Sequence, residues 1–106
     1  EDVEALDELD EIAALEGIDM LFFGPADFSQ SVGEPLNTAN ARTMEAKRKV
    51  AEAARKHGKY AGTTGGTANL EELYDMGYRF ISLGADVAGL SSYFSSIVAE
   101  VRRKGF

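Results

Sequence analysis

Cysteine is absent from these 106 residues. That excludes disulfides, thiolate zinc sites and thiol nucleophiles. Histidine is nearly absent, with His57 the single copy. Basic residues are in short supply, 11 Lys and Arg against 18 Asp and Glu, for a formal charge of −7. An acidic surface repels phosphate backbones, and no basic patch with interleaved aromatics occurs, which argues against nucleic-acid binding. No apolar run approaches the roughly 20 residues that cross a bilayer, and no signal peptide opens the chain. The expectation is a protein with no membrane partner and a cytoplasmic location.

What is present fits one modest globular domain, with 44% apolar and 27% charged residues. Glu1-Asp2-Val3 already falls inside a helical pattern, which predicts a chain cut from something longer. Residues 2–16 carry Leu6, Leu9, Ile12, Ala13 and Leu15 at helical spacing among acids, and Gly17 closes that helix. Ile18 to Phe23 is a short apolar run of the kind found in strands buried on both faces. Residues 28–37, punctuated by Gly33, Pro35 and Asn37, are expected to be loop. Thr38 then opens a long helix to His57, with Ala41, Met44, Ala51 and Ala54 as a small-residue inner face.

Lys59 to Thr63 is a second strand, and Asn69-Leu-Glu-Glu72 has the spacing of a capping box at the start of a short helix. Gly77 stops that helix, and Tyr78 to Leu83 is a third strand. The last helix carries Leu90, Tyr93, Phe94, Ile97, Val98 and Val101 on one face. Strands alternating with helices imply an α/β fold of parallel βαβ units. A closed (β/α)8 barrel needs eight such units and roughly 250 residues. Three strands and four helices would leave open parallel edges, so residues 1–106 read as a single, partial TIM-barrel domain.

In α/β proteins ligands gather beyond the carboxyl ends of strands. The run Leu21-Phe-Phe-Gly-Pro-Ala-Asp27-Phe-Ser-Gln-Ser31 places Asp27 there, although Gly-Pro-x-Asp is also ordinary turn composition. Asp86 follows the third strand and reads as an N-cap. His57, among Arg55, Lys56 and Lys59, reads as a solvated cation at a helix C-terminus. Gly62-Thr-Thr-Gly-Gly66 lacks the Lys of a P-loop and reads as a strand-end turn.

Three groups of residues together resemble the HpcH/HpaI aldolase and citrate lyase family. The first is Glu1-x-x-x-Ala5-Leu6-x-x-Leu9-Asp10-Glu11-Ile12 with Gly17-Ile18-Asp19. The second is Phe23-Gly24-Pro25-Ala26-Asp27-Phe28-Ser29, the most specific of them. The third comprises Gly58-Lys59-Tyr60-Ala61-Gly62 and Arg79-Phe80-Ile81-Ser82-Leu83-Gly84-Ala85-Asp86. The likeness is to the 4-hydroxy-2-oxoheptanedioate aldolase branch, and it covers the C-terminal part of the barrel, from the tip of strand five through helix eight.

The resemblance implies a class II, metal-dependent aldolase that cleaves or forms a carbon–carbon bond in 2-oxo acids through a pyruvate enolate. It implies one divalent cation, Mg²⁺ or Mn²⁺ with Co²⁺ as a further candidate, held by Glu1 and Asp27. Such a pair would leave most of the metal shell for water and a bidentate 2-oxo acid. It further implies that the Ala26 and Asp27 amides hold the substrate carboxylate, with Gly24 and Pro25 shaping the approach. Thr64 stands where the family places an aliphatic pocket residue, so acceptor specificity is expected to differ. The family's substrate Arg and acid/base His belong upstream, so none of the catalytic proton-transfer residues is expected in this chain. A homo-oligomer is implied, with the final helix swapped onto a neighbour, although core packing accounts equally well for the apolar face of residues 90–101. Two alternatives stay open: an acyl-CoA or citrate-type lyase of the same family, and a catalytically silent half-barrel assembly module.

Overall fold

In a computed structural model that describes all 106 residues, three parallel strands lie in the order β1 (Met20–Phe23), β2 (Tyr60–Gly65), β3 (Tyr78–Leu83). The helices are α1 (Leu9–Ala14), α2 (Pro25–Ser31), α3 (Ala41–Lys56), α4 (Leu70–Met76) and α5 (Asp86–Arg103). Strand and helix alternate, as the sequence predicts. Leu21 and Phe23 of β1 and Ala61 of β2 are buried in the core shared with Ala46, Val50, Ala53 and Ala54 of α3. Small side chains on α3 let the helix lie close to the sheet. Thr63 is buried in the same layer and donates from Oγ1 to the Phe23 carbonyl at 3.0 Å, tying β2 to β1.

The opposite face of the sheet is carried by Met20 and Phe22, which are exposed. Phe22 is in register with Gly62, and Gly62 with Phe80. The two rings meet edge to face across the glycine strand, with centroids 6.2 Å apart. A β-carbon at Gly62 would sit 2.7 Å from Met20 Sδ and 2.8 Å from Phe22 Cδ2, so this strand must be bare there. Ala61 faces Tyr78 whereas Gly62 faces Phe80, so the register slips by one and Arg79 is left unpaired. The Arg79 guanidinium donates to the Tyr74 and Tyr78 carbonyls at 2.8 and 2.9 Å and lies 4.1 Å from the Tyr74 ring centroid.

Four local expectations are corrected. The helix expected over residues 2–16 is a 3-10 turn at Glu4–Leu6 followed by the short α1. Like charges four apart, Glu4 with Glu8 and Asp7 with Glu11, oppose a continuous helix there. Residues 28–37 are not all loop, because Pro25 at the first helical position launches α2 through Ser31. Phe28 of α2 is buried against Phe23, with ring centroids 5.5 Å apart. The long helix starts at Ala41, because Asn40 caps it by accepting the Thr43 N–H at 2.9 Å; Ala41 itself is exposed, outside the inner face. Asn69 caps backwards rather than forwards, its Oδ1 accepting from the Gly66 N–H at 2.8 Å.

The final helix behaves differently from the rest. No residue of α5 is buried. Its apolar row Leu90, Tyr93, Phe94, Ile97, Val98 and Val101 is 41–61% exposed. No helix of the chain is long and apolar enough to cross a membrane.

Candidate functional site

Every residue singled out in the Gly24–Asp27 run lies beyond the carboxyl end of β1. Gly24 is the N-cap of α2, with φ −98° and ψ 91°, and its carbonyl accepts the Phe28 N–H at 3.0 Å. Gly24 and Pro25 are buried, while Ala26 and Asp27 are exposed. Pro25 lacks an N–H, and the amides of a first helical turn have no partner within the helix, so Ala26 and Asp27 present theirs outward.

The structure brings Glu1 and Asp27 together, although 26 residues separate them. A β-carbon at Gly24 would lie 3.1 Å from Glu1 Cγ, 3.4 Å from Glu1 Oε1 and 3.3 Å from Asp27 Oδ2. Both side chains therefore fold over the same bare α-carbon. They line a polar recess of about 310 Å³ together with Asp2, Gln30 and Ser31. Loop composition over residues 28–37 hides Gln30 and Ser31, and the sequence signal for them is Pro25, which starts the helix that carries both. Beside the recess, an apolar cavity of about 310 Å³ is lined by Leu6, Leu9, Ile12, Phe22 and Val50 among others.

The acids that take part in ion pairs are Asp10, Glu45 and Glu100. Glu1 and Asp27 are not among them, so two carboxylates converge with no basic side chain between them. No three or more His, Cys, Asp or Glu side chains are placed to hold one metal ion together.

Thr64 lies at the carboxyl end of β2, one residue beyond the Phe23–Thr63 register pair and so beside Gly24. It is exposed on the Phe22 face of the sheet. His57 lies at the other end. It follows α3 and precedes β2, half-buried, with Nε2 3.2 Å from Asp10 Oδ1. Asp10 also takes a short hydrogen bond from Lys56. The Lys56 and His57 bonds together hold the Asp10 carboxyl below its usual range. A strand of four to six residues at about 3.3 Å each separates His57 from Asp27. The histidine thus fastens α1 to α3 and takes no part in the recess. Asp86 is the first residue of α5 rather than its N-cap, and it accepts the Val87 N–H at 2.7 Å.

Residues 1–92 match the HpcH/HpaI aldolase/citrate lyase family. The chain belongs to this family. A hydroxypyruvate/pyruvate aldolase of Paraburkholderia phytofirmans is 36% identical over 103 residues, covering 96% of this chain and 40% of the relative. An HpcH/HpaI aldolase/citrate lyase family protein from Burkholderia cenocepacia superposes with a TM-score of 0.85 at 33% identity, over 96% of this chain and 40% of that one. Citrate synthase SbnG superposes with a TM-score of 0.88 at 30% identity, over 99% of this chain and 43% of its own. The chain thus spans about 40% of the length of the relatives it matches. Its three parallel strands and their helices correspond to the C-terminal part of the family's TIM barrel.

Proposed function

We propose that this chain supplies the metal-holding and carboxylate-binding part of a class II aldolase acting on 2-oxo acids. The observation that carries the reading is the meeting of Glu1 and Asp27 over Gly24. Two unneutralised carboxylates in a polar recess repel one another, and a hard divalent cation relieves that repulsion with oxygen ligands. The donor set fits Mg²⁺ or Mn²⁺, with Co²⁺ a third candidate, and leaves the remaining positions for water and substrate. Once bound, such an ion supplies Lewis-acid stabilisation to negative charge developing on the 2-oxo oxygen.

The chain's own residues hold and orient. Glu1 and Asp27 contribute carboxylate oxygens. The Ala26 and Asp27 amides donate to the substrate carboxylate, helped by the positive end of α2. Gly24 and Pro25 bring that backbone close without side-chain bulk. In cleavage of a 4-hydroxy-2-oxo acid, the 4-hydroxyl loses its proton and the C3–C4 bond breaks. An aldehyde leaves, the bond electrons remain as the pyruvate enolate, and protonation at C3 gives pyruvate. His57 is too far away to be the base, so proton transfer falls to residues of the barrel outside this chain.

The exposed apolar row of α5 supports a homo-oligomer in which this helix packs on a neighbouring subunit. The likeness to a citrate synthase favours a second reading, a citrate- or acyl-CoA-type lyase using the same two carboxylates. The assay that separates these is pyruvate release from a 4-hydroxy-2-oxo acid by the longest natural chain containing these residues, with chelator and then with Mn²⁺ restored. Loss and recovery of pyruvate release support the aldolase. Metal-dependent turnover of citrate-type substrates alone favours the second reading. Metal-independent activity overturns both metal-dependent readings, and no activity with any cation overturns both and leaves the silent assembly module.

A further inference from the structure

We infer that Ser29 is a positioning residue for Asp27, its hydroxyl bracing the peptide that carries the carboxylate against the loop leading to α3. The inference rests on the metal-holding reading above and names what keeps Asp27 in place.

The helix α2 divides into two faces. Asp27, Gln30 and Ser31, three and four residues apart, line the polar recess. Pro25, Phe28 and Ser29 are buried. Pro25 starts the helix and Phe28 packs on Phe23, so the fold accounts for both. Ser29 is fully buried, although serine within a helix is a weaker helix former than alanine. What its hydroxyl adds is a pair of bonds that alanine could not make. It donates to the Ala26 carbonyl at 2.7 Å and accepts the Leu36 N–H at 3.1 Å. The Ala26 carbonyl belongs to the planar unit that ends on the nitrogen and α-carbon of Asp27. Holding that oxygen therefore holds the stem of the carboxylate that stands over Gly24. So short a helix gains little from propensity alone, and the brace supplies the missing constraint.

The far end of the brace is formed against a conformational cost. Leu36 is the one residue other than glycine with a positive φ, 65°. Its side chain is 85% exposed, so packing does not offset that cost. Hydrogen bonding does. Pro35 sets the second position of a turn in which the Asn37 N–H donates to the Glu34 carbonyl at 3.0 Å. Asn37 Nδ2 donates to Glu34 Oε2 at 2.7 Å, and the turn directs the Leu36 N–H onto Ser29. The Asn37 carbonyl in turn accepts the Asn40 N–H at 3.3 Å, and Asn40 caps α3. The cap of α3 is thus linked, through one turn and one buried hydroxyl, to the peptide before Asp27.

The test measures Mn²⁺ affinity by electron paramagnetic resonance on the longest natural chain, as wild type, Ser29→Ala, Ser29→Thr and Tyr78→Phe. Tyr78→Phe also loses one buried hydrogen bond, from the amino end of the sheet, and so reports the effect of lost stability alone. A reduced folded fraction changes the stoichiometry and leaves the affinity as it is. Ser29→Ala is expected to weaken Mn²⁺ binding about ten-fold, the scale on which partners of a metal ligand are felt. Ser29→Thr, which keeps the hydroxyl, and Tyr78→Phe are expected to bind as the wild type does. Equal affinity in wild type and Ser29→Ala overturns the inference. So does a weakening in Ser29→Thr or in Tyr78→Phe that equals the one in Ser29→Ala. A wild type that binds no Mn²⁺ removes the metal-holding reading and the inference with it, whereas wild-type binding that Ser29→Ala leaves unmoved removes the inference alone.

Discussion

The phenol of Tyr78, fully buried at the start of β3, donates to the main-chain carbonyl of Lys47 in α3 at 2.8 Å. This bond joins the third strand to the helix that covers the first two. Burial pushes the Tyr78 pKa well above its ordinary value of 10.

Because the neutral phenol is the form the fold favours, its contribution to stability is complete below pH 10. It is lost progressively as pH climbs from there toward the raised folded-state value. Tyr78→Phe is expected to lower stability by about 1 kcal/mol at neutral pH. It should also remove part of the alkaline decline. Thermal unfolding of both proteins across the alkaline range reads both effects.

Gly24→Ala should separate folding from metal binding. The backbone at Gly24 suits alanine, with φ −98°. The new β-carbon would lie within 3.4 Å of Glu1 Cγ, Glu1 Oε1 and Asp27 Oδ2. Those are ends of flexible side chains, so the fold gives way cheaply while the carboxylates are displaced. The expected result is an unchanged circular dichroism spectrum with cation affinity weakened about ten-fold.

Asp10 fastens α1 to the end of α3 through Lys56 and His57. Its folded-state pKa is lowered from an ordinary 3.8, so the tether is in place above that value and fades as pH falls through it toward the lowered one. The group is exposed, and added salt should weaken the tether further. Protection factors of the amides of residues 9–14, taken against the intrinsic exchange rate at each pH, are expected to fall in acid and at high salt. Asp10→Asn should leave that protection low at every pH.

The strands were legible from the apolar residues of Ile18–Phe23 and Tyr78–Leu83 and the glycines that precede them, but β1 is buried on one face only, through Leu21 and Phe23, and not on both as expected. Two devices were hidden. Pro25 launches α2 over only seven residues, too short for periodicity to reveal, and its buried face is fixed by Phe28 meeting Phe23 from another element. The slip at Arg79 leaves no local trace, because it depends on how β3 registers against β2. In the site, Asp27 could be placed from its strand end alone. The proximity of Glu1 is a long-range contact that only the family resemblance anticipates, and the bare Gly24 beneath both carboxylates is a feature of the folded chain alone.

The central claim is that Glu1 and Asp27 together hold one divalent cation. Its most direct test is a Mn²⁺ titration followed by electron paramagnetic resonance, on the longest natural chain and on its Asp27→Asn variant. The account predicts a single site in the wild type, weakened by about 100-fold or more in the variant, beyond the scale at which outer-shell partners are felt. Equal Mn²⁺ affinity in the two proteins would contradict it.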